Sequence, residues 1–174
     1  MRLIVPAALL ALSMTSGCIA VSTSTVEAAP APATVTAPPQ AASSVSTLTR
    51  SSDTNFAATE ERLRYAIERR GLTLFTVIDH SAGAASINME LEPNKVFVFG
   101  NPKAGTPLMQ TNPSLGLELP LKAAIYEKDG VVMVSVSDIR HLTLRHGIIE
   151  PPQVIANIER ALLSILEEAA GTAG

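Results

Sequence analysis

Tryptophan is absent from this chain, and aromatic residues make up only 3% of it. A core built from such a sequence must be mainly aliphatic. No long run of lysine or arginine occurs, and the formal net charge is −3. The sequence therefore shows no basic cluster of the kind that neutralises phosphates, and no nucleic acid is expected as a partner. Only one cysteine, Cys18, is present. That excludes an internal disulfide framework and any CxxC metal or redox motif. What the chain does have is 174 residues, of which 47% are hydrophobic. This is enough for one domain with a buried core and further flanking sequence.

The N-terminus reads "MRLIVPAALLALSMTSGCIA". Arg2 and the amino group form a short positive region, and Leu3 to Leu12 form an apolar one. Together they read as a secretory signal. The apolar stretch falls short of the ~20 residues of a spanning helix. "TSGC" resembles the bacterial lipobox, in which small residues precede a cysteine that is lipidated and becomes the first residue; Thr15 stands where that motif prefers leucine. The resemblance implies acylation at Cys18, an anchor in the lipid bilayer, and a signal peptide over residues 1–17. Ile19 rather than aspartate follows, which in two-membrane bacteria implies the outer membrane, facing the periplasm. Ordinary cleavage near Ala20 or Ala28, with Cys18 discarded, is the alternative.

Residues 18–44 are rich in alanine, proline, serine and threonine, with Glu27 as their one charge. Such a segment buries too little apolar surface to offset its ordering entropy. It is expected to act as a tether, extending at most about 3.1 Å per residue where proline dominates.

Residues 45–171 read as one compact α+β domain. From Arg50 onward the chain carries 12 basic and 15 acidic residues. A strand is expected to begin near Val45. Asn55 caps a helix over "FAATEERLRYAIERR", with Phe56, Leu63 and Ile67 on one side and Gly71 as its stop. "LTLFTVID" is apolar on both faces, which predicts a central strand. "HSAGAASINMELEP" connects it, with room for a short helix, to the strand "KVFVFG". A helical turn or two follows, broken at Pro113. "LKAAIYEKDGVVMVSVSD" is a hairpin turning at Asp129-Gly130, with Val132, Val134 and Val136 on one face. Asp138 caps a short helix ended by Gly147. Pro151 and Pro152 open a long helix, 152–170, with an apolar stripe from Val154 through Leu162 to Ala169. The order is β-α-β-(α)-β-α-β-β-α-α, and it predicts a mixed sheet of about five strands with helices packed on it.

Several candidate sites fail on spacing. Gly100 and Gly105 have the GxxxxG separation of a phosphate loop, but Thr106 follows directly and Lys103 comes too early. Pro102 and Pro107 also remove N–H groups that would cradle a phosphate. A weaker possibility is contact with a small anion at Asn101, Lys103 and Thr106, where a strand ends and a helix begins. Its alternative is an Asn-Pro turn in which Asn101 bonds its own backbone. His141 and His146 are five apart and cannot share a helix face as zinc ligands do. His80, His141 and His146 are more simply capping or surface groups. There is no GxSxG elbow. Met89, Met109 and Met133 are scattered, which suits core filling better than metal binding. No catalytic residue, metal site or cofactor is assigned.

The stretches "NFAATEERLRYAIERRGLTLF", "FGNPKAGTPLMQTNPSLGLELPLKAAIYEKDG" and "RHGI" resemble the bacterial family known as domain of unknown function 302. The resemblance covers roughly Thr47 to Ile148 and fades before the last helix. It implies a compact α+β domain and no established reaction, cofactor or catalytic residue. Many members carry a cysteine near the Asn-Pro motif, where this chain has Phe99-Gly100, so thiol chemistry does not transfer.

The leading expectation is a lipid-anchored envelope protein that binds a small ligand or envelope partner without catalysis, through Asn101, Lys103, Thr106 and His146. One alternative is an enzyme of unknown class at the Asn-Pro-Lys loop. Another is a structural or assembly protein, dimeric through its two-faced apolar strand.

Overall fold

The computed structural model describes residues 47–172. The expected signal peptide and tether, with Cys18, lie outside the described residues. The first strand, β1 (Thr47–Ser51), leads to helix α1 (Phe56–Glu68). The Asn55 side-chain oxygen accepts from the Ala58 N–H at 3.0 Å and caps α1, and Leu63, Ala66 and Ile67 are its buried face. Gly71, at φ 65°, reverses the chain into β2 (Thr73–Asp79). Asp79 caps the short α2 (His80–Ala85), and β3 (Asn94–Gly100) follows. Next come α3 (Pro102–Thr111) and a 3-10 turn (Pro113–Leu117). The hairpin strands are β4 (Leu121–Lys128) and β5 (Val131–Ser137). Asp129 and Gly130, at φ 54° and 75°, form the turn that its sequence requires. Helices α4 (Ile139–Arg145) and α5 (Pro152–Ala170) complete the order.

The strands form one sheet in the order β1-β5-β4-β3-β2. Every pairing is antiparallel, which corrects the expectation of a mixed sheet. The reason lies in the connections. A parallel neighbour needs a crossover of a dozen or more residues that spans the sheet. Here α2 has only six residues and turns β2 back beside β3.

β2 is also not central but an edge strand. Its pairing slips between Leu74 and Thr76, which oppose Phe99 and Val98, so Phe75 has no partner. This bulge inserts one residue and shifts the alternation. Leu74 and Val77 therefore both pack towards the core, while Phe75 is 51% exposed. A strand read without its bulge looks apolar on both faces for this reason.

The core lies between one face of the sheet and helices α1 and α5, which also pack on each other. Phe97, Phe99, Ile125 and Val134 are fully buried there. The core is largely aliphatic, with these two phenylalanines at its centre. The α5 stripe docks within the chain itself: Leu162 is 2% exposed, and Ile165 and Leu166 are fully buried. The helix thus stabilises the sheet and is not a face held open for a partner.

Candidate functional site

The Asn-Pro segment after β3 is a helix start. Asn101 has extended backbone, and its side-chain oxygen accepts from the Lys103 N–H at 2.9 Å. Its carbonyl accepts from Ala104 at 2.9 Å and Gly105 at 3.1 Å. Pro102 occupies the first helical position, where a missing N–H costs nothing. The N–H groups that a phosphate would need are therefore already used by Asn101. Helix α3 comes very close to the segment before β4. A Cβ on Gly105 would lie 3.1 Å from the Leu119 side chain, so any larger residue there would require that side chain to shift.

Between the first turn of α3, the bulge of β2, the Leu119-Pro120 segment and α5 lies a groove of about 500 Å³. That size falls within the roughly 300–1,000 Å³ of small-molecule sites. Phe99, Leu162 and Ile165 form its floor. Phe75, Leu119, Val154 and Ala161 add apolar wall. Asn101, Lys103, Thr106 and Asn157 supply its polar side chains. Lys103 is the one charged residue in the lining, and among the described residues it makes no ion pair. Three of the four residues singled out in the sequence thus meet here.

His146 does not line the groove. It caps the end of α4, where its Nδ1 lies 2.7 Å from Ser114 Oγ and its Nε2 lies 3.4 Å from Glu118 Oε1. Arg145 pairs with the same carboxylate. Asn112 donates from Nδ2 to the His146 carbonyl at 2.8 Å, while its Oδ1 accepts from the Ser114 N–H and hydroxyl. Ser, His and Glu are the residue types of a nucleophile relay, yet none of the three borders the groove. Their bonds fasten the 3-10 turn to α4. The other histidines are similarly local. His80 opens α2, and Asp138 bonds the backbone of His141 rather than its ring. Among the described residues no cluster of three His, Cys, Asp or Glu side chains is placed to hold a metal.

Sequence reasoning missed Phe75, Leu119, Asn157 and Ala161 as groove residues. Phe75 is aimed there by a bulge, and the others come from segments brought together only by folding. Ser114 and Glu118 were missed too, although the repeat of Asn-Pro at Asn112 was a visible signal for a second cap.

A stretch of 93 residues is 39% identical to "Fluoride-specific ion channel FluC 1" of Brucella suis biovar 1 (strain 1330), covering 53% of this chain and 37% of that protein. "Fluoride-specific ion channel FluC 2" of Brucella melitensis biotype 1 (strain ATCC 23456 / CCUG 17765 / NCTC 10094 / 16M) is also 39% identical, over 34% of its length. The matching stretch is thus about a third of these curated relatives. Among the described residues no helix is long and apolar enough to cross a membrane. The fold is similar to that of the crystal structure of "uncharacterized conserved protein DUF302 from Bacillus stearothermophilus". That likeness has a TM-score of 0.66 at 18% identity and covers 72% of this chain and 98% of the other. The family model "Domain of unknown function DUF302" matches residues 48–168 and so takes in most of α5, beyond the point where the resemblance in sequence fades. With its Asn-Pro segment and nearly all of its helices and strands inside that span, the chain belongs to the DUF302 family.

Proposed function

We propose that this is a lipid-anchored protein of the bacterial envelope whose DUF302 domain binds a small ligand without transforming it. The observation that carries the binding reading is the groove of about 500 Å³, which gathers Asn101, Lys103 and Thr106 over an apolar floor. The absence of His146 from its lining favours binding over the enzyme alternative, since Lys103 and Thr106 are left there without a histidine as general base. The anchor rests on the lipobox-like "TSGC". Fluoride conduction does not transfer from the named relatives, because the match spans about a third of their length.

Assembly remains the second reading, and one observation favours it. β2 is a sheet edge with Phe75 and Ile78 51% and 44% exposed, and an edge strand has backbone groups ready to pair with a second copy. Sedimentation of the purified chain distinguishes a monomer from such a dimer.

The anchor is tested by Cys18→Ala. The variant is expected to lose lipid labelling and to leave the membrane fraction. Retention of both overturns the anchor. A thermal-shift screen of small ligands tests the groove, since a ligand of the native state raises the melting temperature.

A further inference from the structure

Resting on the binding reading above, we infer that the groove takes a single-chain amphiphile with a carboxylate head: an apolar floor of Phe99, Leu162 and Ile165 lies beneath a rim of hydrogen-bond donors whose one charge is Lys103.

The tail follows from the lining. Its polar side chains are Asn101, Lys103, Thr106 and Asn157, and no acidic residue or histidine is among them. A sugar or nucleobase placed on the floor would leave its own polar atoms unpaired, and each such atom opposes binding. A hydrocarbon carries no such penalty, and its burial is favourable per methylene. A methylene takes up about the 30 Å³ share of a liquid water molecule. About 500 Å³ therefore holds one chain of ten to a dozen carbons with its head, and not the two long chains of a bilayer lipid.

The head follows from how the asparagines are already engaged. Asn101 Oδ1 accepts from the Lys103 N–H at 2.9 Å. Asn157 Oδ1 accepts from Gln153 Nε2 at 3.0 Å and from Arg160. Both side-chain oxygens are thus occupied by donors, which fixes the amide orientations. Among the described residues their NH₂ groups make no hydrogen bond, so they and the Lys103 ammonium, which has three donors, remain available to a ligand. A carboxylate only accepts, and it is the acceptor that matches a donor-rich rim with one positive charge. A cationic head would meet Lys103 as a like charge. A neutral alcohol would gain from the donors but not from the charge.

The experiment titrates the full-length chain by calorimetry with decanoate and decyltrimethylammonium, each below its micelle concentration, and with decanol below its solubility limit. Decanoate is expected to bind about tenfold more tightly than the other two at low salt. That advantage should shrink as salt rises, because an exposed pair is screened over about 10 Å at 0.1 M. Lys103→Gln should bring decanoate down to the level of decanol, and Lys103→Glu should take it below that level. Ala161→Phe, which fills the groove, should weaken all three, and Ala161→Met does the same with a more adaptable side chain if the phenylalanine prevents folding. Equal affinities for the three heads, or no response to Lys103→Glu, would overturn the carboxylate head and leave a groove that binds chains. No binding of any amphiphile, or binding that survives both Ala161 variants, would remove the groove as a ligand site altogether.

Discussion

Asn101 and Asn112 use one device twice. Each precedes a proline, and each side-chain oxygen accepts from the N–H two residues on, at 2.9 and 3.0 Å. The first start borders the groove, whereas the second binds the 3-10 turn to His146. The same residue pair thus serves a site in one place and a fastening in the other, and only the neighbours differ. Charge shows a similar dependence on neighbours at Glu60, which is partly buried between Lys95 at 2.9 Å and Arg64 at 2.7 Å. Burial is the largest single influence on this carboxyl and raises its proton affinity. The hydrogen bonds and charges of Lys95 and Arg64 together outweigh burial and hold the carboxyl below the usual glutamate value. A carboxylate depressed in the folded state stabilises the fold above its unfolded value, about 4.3, and that contribution is lost as pH falls through the lower folded value. Glu60→Gln is therefore expected to cost about 1 kcal/mol at neutral pH and to flatten the acid limb of a melting-temperature profile. Part of that limb should survive. Asp79 is held low by the Ala82 N–H and the Ser81 hydroxyl, and Glu159 by its hydrogen bond from Arg140. An unchanged acid limb in the variant would show that Glu60 is not the coupled group.

Elements with local signals were legible in the sequence. α1 has its asparagine cap and glycine stop, the hairpin has Asp129-Gly130, and α5 has an uninterrupted apolar stripe. β2 was not legible as an edge. Its position depends on which strand pairs with which, and its bulge at Phe75 exists only against β3. The loop after β3 was legible in its anion-side residues, but not in its far wall, because Asn157 and Ala161 lie more than fifty residues downstream on α5. α5 therefore has two duties, closing the core and lining the groove. Leu162 does both, at 2% exposure, while its neighbour Leu163 is only partly buried. Leu162→Ala is expected to cost about 2–5 kcal/mol in denaturant unfolding, the range for a leucine lost from a core. Leu163→Ala should cost clearly less. Equal losses at the two positions would mean that the docked face of α5 has been wrongly assigned.

The scale of the whole molecule raises the question of how much of the chain the fold requires. The similar Bacillus stearothermophilus structure is covered over 98% of its length by 72% of this chain. A chain of essentially that extent therefore folds into this architecture without a counterpart of the remaining residues. The sequence before β1 gives a physical reason to expect the same here: residues 19–46 carry one charge and no aromatic, and are dominated by Ala, Pro, Ser and Thr. Such a composition adds little buried apolar area against about 1–2 kcal/mol of backbone entropy for each residue ordered. A chain beginning at Ser43, which keeps all of β1, is thus expected to melt within a few degrees of the longer one. For a domain of this size, about 1 kcal/mol of lost stability moves the midpoint by roughly 2–8 °C. Calorimetry of the two chains side by side has the resolution to tell. A larger fall on removing the Pro-rich segment would mean that it packs on the domain, and the segment could then no longer be regarded as a tether that leaves the groove and the sheet edge free to act.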